Sequence, residues 1–486
     1  MRAFVLGLII LLPIYCAKAQ NGSRSGNHPG DSSFKKNTTE KGDSTGRYLI
    51  INRIFITGNR VTRDQIILRE LSLKTGDIMY SLDLPEILDK DRKKIFNTRL
   101  FNTVEIRTLE LEAGKIDLLI DLSERWYTFP APIFELSDRN FNEWWQNYDH
   151  DFRRVNYGLR LYQYNMRGRN ESLRLTAQLG FQRTFNLVYR FPYIDQRQKH
   201  GLVIDLDYSE TKNLAYRTFG HKLEFLKSRD ILRTSQGGSI TYTYRNSFYD
   251  IHSVELEHRL NEVNDTIPAL NSNYYGVGQT RQEYTVLSYQ YSHDHRDIAA
   301  YPQSGHYFLV TASKLGLSRQ EDVNKTEITS SYARYIKMKR GFLFSNLSLG
   351  YWSTPQDIPY SIYGALGYRK LFVRGYEIYV IEGPCYALNK MTLKKLIFSD
   401  IYRYERFPVE QFRHLPISIY AKIYADVGYV KNYPNYPLNT ELSDRLLTGV
   451  GGGLDIVGSY DAVIRLEYSF NTEGRGGFFF HVKKEF

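Results

Sequence analysis

The sequence predicts a mostly β chain: one small α+β domain of order β-α-α-β-β, followed by a sixteen-stranded transmembrane antiparallel β-barrel. Three observations carry this expectation. The N-terminus reads as a secretion signal. Segment after segment alternates apolar and polar residues, the period of a half-buried strand. The last such segment runs to a terminal aromatic, Phe486.

Arg2, an apolar run from Ala3 to Ile14, and Ala17-Lys18-Ala19 before Gln20 form a charged start, a short apolar stretch and a small-x-small cleavage site. The run is too short to cross a bilayer as a helix. Cys16 raises a lipidated N-terminus, but Pro13-Ile14-Tyr15 lacks the small residues of a lipobox, so residues 1–19 are expected to be a signal peptide cleaved after Ala19. The mean hydropathy is −0.44. A soluble secreted chain would share that value, whereas barrel strands give only a weak hydropathy signal each. The 40 tyrosines and 27 phenylalanines favour the barrel, because aromatic girdles mark both of its interfaces. The formal charge is +11, and removal of residues 1–19 takes away Arg2 and Lys18 and leaves +9. The basic residues are scattered through the alternating segments, which points to a solvated lumen and anionic lipid rather than nucleic acid. Without the signal only Cys385 remains, so no intramolecular disulfide can form.

Residues 20–46 are rich in Gly, Ser, Asn, Lys and Thr and are expected to form a disordered linker. The α+β domain occupies 47–125. A strand over 48–56 precedes a Gly58-Asn59 turn. Thr62 with Gln65 predicts a capping box opening a short helix that carries Ile66, Ile67 and Leu71. A second helix has Leu84, Ile87, Leu88 and Ile95 at helical spacing, its stripe broken by Asp91. Strands over 103–111 and 115–123, joined at Ala113-Gly114, close the domain.

The barrel occupies 126–486. Strands are expected near 131–137, 156–166, 171–181, 184–192, 201–211, 238–246, 251–260 and 282–293. Eight more follow near 304–314, 326–338, 342–352, 385–397, 415–428, 446–457, 461–470 and 477–486. In 417–427, for example, Ile417, Ile419, Ala421, Ile423, Ala425 and Val427 oppose Ser418, Tyr420, Lys422, Tyr424 and Asp426. The alternating piece 215–228 is assigned to a hairpin outside the membrane, because an N-terminal domain and a C-terminus on one side require an even strand number. Arg167–Asn170 and Lys339–Gly341 are tight turns on the N-terminal domain's side, while 212–237, 261–281 and 353–384 are long connections on the other. The connection 398–414 is long for its side.

Val373-Arg374-Gly375-Tyr376, in the connection after the eleventh strand, resembles the loop motif of the Omp85 superfamily of barrel-assembly and two-partner-secretion proteins. Asp294, Arg296 and Asp297, with Pro302 and Gly305, resemble that family's turn segment ahead of a strand. Tyr424-Ala425-Asp426-Val427-Gly428 resembles its aromatic-x-Asp-x-Gly strand, and the β-α-α-β-β unit resembles a POTRA domain. The motifs occur in the family's order over residues 47–486. The resemblance implies that the loop folds into the lumen and that Arg374 meets Asp426, which alternation also puts on the lumen side. It implies a terminal sorting signal of Phe480, Val482 and Phe486. It departs in having one POTRA unit, in the strand segment Tyr386-Ala387-Leu388-Asn389-Lys390 where relatives often place an acidic residue, and in Lys484 on the outer face of the last strand.

Other motifs carry nothing. Gly42-Asp43-Ser44-Thr45-Gly46 has the spacing of a nucleophile elbow but lies in the linker, without the strand and helix that geometry needs. His293 and His295 share a strand face, with no third metal ligand evident in the sequence. Gly449, Gly451, Gly452 and Gly453 lie in a strand pattern and suit bending or close approach of the inserted loop rather than a phosphate site.

The function implied by the resemblance is assistance in inserting or assembling β-barrel proteins in the bacterial outer membrane, with the POTRA domain in the periplasm. A two-partner-type translocation pore and a non-catalytic scaffold are the alternatives. No enzyme class and no cofactor or metal is expected. The expected partners are unfolded outer-membrane protein clients, outer-membrane lipids, and periplasmic chaperones or accessory lipoproteins. Pro130 and Pro132 near the first strand, and Gly476-Gly477 at the start of the last, predict a weak seam between them.

Overall fold

The computed structural model describes residues 46–136, 144–145, 149–369, 371–403, 414–434 and 436–483. The expected signal and nearly all of the linker lie outside these residues, as do Lys484 and Phe486.

The N-terminal domain runs through β1 (Tyr48–Thr57), α1 (Asp64–Leu68), β2 (Ile78–Tyr80), α2 (Leu84–Asn97), β3 (Phe101–Glu112) and β4 (Lys115–Glu124). Its sheet order is β2-β1-β4-β3, with β1 parallel to β4 and the other pairs antiparallel. Ile51, Ile66, Ile67, Ile95, Phe101, Leu118 and Ile120 are fully buried between sheet and helices. β2 was not expected, because three residues are too few for alternation to register. The predicted capping box does not form. α1 starts at Asp64 without a side-chain cap, and the Thr62 hydroxyl instead donates to Glu124 Oε1 at 2.6 Å. Asp91, the break in the α2 stripe, is buried and accepts from the Ser72 backbone N–H and hydroxyl, both at 2.7 Å. A polar residue at a core position is there because it closes a loop.

The barrel then takes β5 (Thr128–Leu136), β6 (Val155–Met166), β7 (Glu171–Gly180), β8 (Gln182–Phe191), β9 (His200–Thr211), β10 (Asn213–Phe219), β11 (Lys222–Lys227) and β12 (Arg233–Arg245). After β13 (Asp250–Val263) comes a short helix, α3 (Thr266–Leu270). β14 (Arg281–Asp294), β15 (Gly305–Leu315), β16 (Lys325–Lys337), β17 (Phe342–Thr354), β18 (Ala365–Arg369) and β19 (Ile381–Glu382) follow. The chain finishes with β20 (Cys385–Arg403), β21 (His414–Lys431), β22 (Leu446–Val457), β23 (Val463–Asn471) and β24 (Gly476–Lys483). Sixteen of these make one antiparallel sheet in chain order from β5 to β24. β10–β11 and β18–β19 pair separately, so the hairpin expected over 215–228 stands outside the sixteen.

The burial is inverted relative to a water-soluble protein. Ile423 is 63% exposed on the outer face of β21, whereas Lys422 and Asp426, its neighbours on the inner face, are 5% and 1% exposed. Leu206, Ile240, Leu256, Leu287 and Val450 are likewise exposed outward. Among the described residues no helix is long and apolar enough to cross a membrane. An outward apolar belt on a sheet that curls onto itself is the other way of satisfying every backbone group in lipid.

Two expected boundaries move. The first strand begins at Thr128, so Pro130 and Pro132 lie inside β5; they are tolerated because β5 is a terminal strand laddered only to β6. The expected long turn 398–414 is shortened at both ends, since β20 continues to Arg403 and β21 resumes at His414. Residues 404–413 between them lie outside the described ones.

The N-terminal domain packs under turns at one end of the barrel. Arg245, ending β12, donates from Nη1 and Nη2 to the two Glu70 carboxylate oxygens at 2.6 and 2.7 Å. Burial pushes the Glu70 carboxyl up, but the Arg245 hydrogen bond and the charges of Arg245 and Arg69 outweigh it and hold it below 4.5. Asn97, ending α2, bonds both the Asp297 carbonyl at 3.1 Å and the Ala299 N–H at 3.2 Å. The Arg63 N–H donates to the Gly168 carbonyl at 3.0 Å in the β6–β7 turn. At the far end the β10–β11 hairpin, α3 and the 353–384 connection share a core of Leu214, Leu232, Ile267, Tyr274 and Tyr360.

Candidate functional site

The connection 353–384 leaves β17 at the far end, and Val373, Arg374 and Tyr376 are buried against β20–β23. Gly375 sits at φ +91°, where glycine is at ease, and turns the chain so that the Tyr376 N–H reaches the Val373 carbonyl at 2.9 Å. The turn is tied to the end of β23. Asn471 Nδ2 donates to the Gly375 carbonyl at 2.7 Å, and the Tyr376 hydroxyl lies 2.7 Å from Thr472 Oγ1. The glycines under the loop are there for close approach. A Cβ at Gly449 would stand 1.8 Å from the Arg374 carbonyl oxygen, and one at Gly428 2.5 Å from Val373 Cγ2.

Arg374 and Asp426 meet as expected. Arg374 Nε donates to Asp426 Oδ2 at 2.9 Å, Nη2 to Oδ1 at 2.5 Å, and the Arg374 backbone N–H to Oδ2 at 3.0 Å. The fork is bidentate, the geometry that makes an Arg-carboxylate pair exacting. The guanidinium also lies 3.7 Å from the centre of the Tyr424 ring. The spacing of Tyr424 and Asp426 therefore has a plain cause: two residues apart on a strand, they share one face and hold one cation from two sides.

The pair belongs to a wider lattice of charges that the sequence did not assemble. Lys390 Nζ lies 3.6 Å from Asp426 Oδ2 and donates to the Phe372 carbonyl at 3.1 Å. Arg374 Nη1 lies 3.6 Å from Glu467 Oε1, which is 2.7 Å from Lys422 Nζ. Lys422 also bonds Asp455, which accepts from the Tyr301 hydroxyl at 3.0 Å. All of these charged groups are buried. A readable signal existed, because alternation puts opposite charges on the inner faces of adjacent strands. Their partners depend on register, which the sequence leaves free. Lys390, in the segment that departs from the family pattern, serves as a second cation on Asp426.

Asp294, Arg296 and Asp297 build the β14–β15 turn. Arg296 donates from Nε and Nη2 to Asp294 at 2.7 and 2.5 Å, and Asp297 Oδ1 accepts the N–H groups of Ile298, Gln303 and Ser304 at 2.8, 3.0 and 3.2 Å. Pro302 is buried, and Gly305 takes φ +105° where a Cβ would stand 2.1 Å from the His295 carbonyl. This turn reaches the luminal lattice through the Tyr301 hydroxyl on Asp455 and receives Asn97 of the N-terminal domain. His306 joins His293 and His295 with ring centres 5.1 and 5.4 Å apart, but the three rings lie within 23° of parallel. Their nitrogens do not converge, and among the described residues no group of three ligands is arranged for a metal. Phe480 is exposed on β24 opposite Leu466, and Val482 pairs with Ile464. Phe486, on which the sorting-signal reading mainly rests, lies outside the described residues.

Residues 165–486 match the Omp85 superfamily domain, and residues 49–125 match POTRA, the surface antigen variable number repeat. The fold is similar to that of BamA from Haemophilus ducreyi lacking POTRA domains 1-3, at 14% identity and a TM-score of 0.50 over 90% of this chain and 85% of that one. It is similar also to CdiB from Escherichia coli, at 11% identity and a TM-score of 0.56 over 90% of this chain and 80% of that one. Likeness at such identities speaks to the fold alone. Among curated proteins none matches the sequence.

Proposed function

The chain belongs to the Omp85 superfamily of outer-membrane translocases and insertases, and on that premise we propose that it inserts and assembles other β-barrel proteins in the bacterial outer membrane. The N-terminal domain then lies in the periplasm, and the 353–384 connection enters from the cell exterior. Family members are non-enzymatic, and this role needs no bond-making step. Its partners are unfolded outer-membrane proteins and the surrounding lipid, with periplasmic chaperones or accessory lipoproteins delivering the clients.

The seam carries the reading. β5 and β24 end the strand order, and no ladder joins them among the described residues. Two prolines in β5 remove N–H donors from the edge. Contact across the gap comes from Tyr460, just ahead of β23. Its ring centre lies 5.4 Å from that of Phe129, and its hydroxyl accepts from the Trp126 N–H at 3.5 Å. Opening this boundary breaks fewer hydrogen bonds than parting any other two neighbours. The freed edges offer the backbone groups a client strand needs.

The test is a disulfide across the seam in a Cys385→Ser background, pairing a cysteine at Ile133 with one scanned over Phe478 to Phe480. Oxidation is expected to abolish client assembly and reduction to restore it, with heat-modifiable barrel mobility unchanged throughout. Full client assembly by the oxidised protein would overturn seam opening as the route. Absence of client assembly in the reduced protein would overturn the insertase reading and leave passage through the lumen or a scaffold role.

A further inference from the structure

The β20–β21 hairpin outruns the strand beside it. β17 begins at Phe342 opposite Lys395, where the β17–β20 ladder ends, while β20 stays paired with β21 as far as Arg403 opposite His414. Along the line that β17 vacates, Leu396–Arg403 has no ladder partner among the described residues. At about 3.3 Å per residue this free edge is roughly 26 Å long. It is apolar on both faces. Leu396, Ile397, Phe398, Ile401 and Tyr402 are between 40% and 57% exposed, and the bulge between Leu396 and Phe398 puts both faces to use.

Lipid does not account for this exposure. The free edge starts where the β16–β17 turn closes, and Lys339 and Arg340 of that turn are exposed. An open sheet edge does not persist inside hydrocarbon, where its N–H and C=O groups would have no partner. In water, an open apolar edge of this length is a template for strand addition, which proteins ordinarily blunt. Among the described residues no strand, helix or loop covers it.

We propose that Leu396–Arg403 is a docking strand for an extended client segment, which adds antiparallel to β20 in the line of β17. This rests on the insertase reading. The ladder direction follows from continuity with the β17–β20 pairing. The charge pattern narrows the occupant: among the described residues Lys337, Lys339, Arg340, Lys395 and Arg403 flank or lie on the edge, against Asp400. The fitting segment alternates apolar residues with acids, as barrel strands with an acidic inner face do. This chain's own 200–211 is one such strand, with Leu202, Ile204, Leu206 and Tyr208 opposed to Asp205, Asp207 and Glu210.

The experiment uses the full chain in nanodiscs and a labelled synthetic peptide of sequence 200–211 as the probe, with binding read by anisotropy. Neighbouring strand residues direct their N–H groups to opposite sides, so of Ser399→Pro and Asp400→Pro one removes an outward donor only. That variant is expected to weaken peptide binding at least tenfold with heat-modifiable mobility intact. The double reversal Lys339→Glu with Arg340→Glu, remote from the β20–β21 ladder, is expected to weaken it several-fold. Unchanged binding in both proline variants and in the charge reversal would overturn the proposal. Quenching of a Phe398→Trp reporter by brominated lipid would also overturn it, because the edge would then be covered by membrane. Binding is measured apart from assembly, so a protein that binds the peptide but assembles no client sinks the insertase reading, while peptide capture at this edge stands or falls separately.

Discussion

Arg374 is held from four sides, by Asp426, Tyr424, Thr392 and Glu467. Removing the guanidinium leaves buried carboxylates with less compensation. Breaking a buried pair costs about 3–5 kcal/mol, and Lys390 beside Asp426 brings the expectation to the low end. Arg374→Ala is therefore expected to free the loop while the barrel still assembles. Faster proteolysis within 353–384, with unchanged heat-modifiable mobility, is the check. The exchange Arg374→Asp with Asp426→Arg is expected to regain only part of the activity. It would set an aspartate near Glu467 and an arginine near Lys390, a clash between like charges that the two motifs alone do not reveal. The pair itself was legible because both residues lie in recognisable motifs and alternation gave the inward face. The lattice around it was not, because Lys390, Glu467 and Asp455 have no local signature.

Among the elements, the strands were legible because a period of two survives wherever one face meets lipid. What escaped was set by tertiary contact. Thr62 and Gln65 have capping-box spacing, yet the Thr62 hydroxyl is taken by Glu124 from β4. The flanks of the 398–414 connection, 398–403 and 414, are strand because β20 and β21 pair beyond the end of β17. The turn motif at 294–305 shows its purpose only when Asn97 is seen seated on it. The docked domain also makes a pH prediction. The Glu70 carboxyl is held below 4.5, so its contribution to docking is full above that value and disappears as pH falls through the lower folded one. Hydrogen exchange in α1 is expected to rise on acidification with the barrel strands unaffected, and Glu70→Gln is expected to remove much of that dependence. Arg245→Glu opposes two acids across the same contact. It should loosen the domain by about 2–5 kcal/mol, seen as a larger radius of gyration in small-angle scattering.

In the barrel sheet apolar residues face out and buried charges face in, and among the described residues the boundary between the end strands β5 and β24 has no ladder. Tyr460 sits on that boundary, so Tyr460→Ala is expected to speed hydrogen exchange in β5 more than in β12 or β13. An aromatic contact of this kind is worth about 0.5–1.5 kcal/mol, so the overall melting temperature should move little; equal acceleration in all strands would count against a local clasp. Strand order has a further consequence. From a strand docked in the β17 line to one paired on the free side of β24 are six strand spacings, roughly 29 Å along the sheet. About nine extended residues span that distance. A chain caught at the first position therefore has its next residues tethered within reach of the second, at an effective concentration in the millimolar range. On the proposed function, capture in dilute periplasm and pairing at the barrel boundary thereby become one intramolecular search, whose rate depends on tether length and no longer on how scarce the client is.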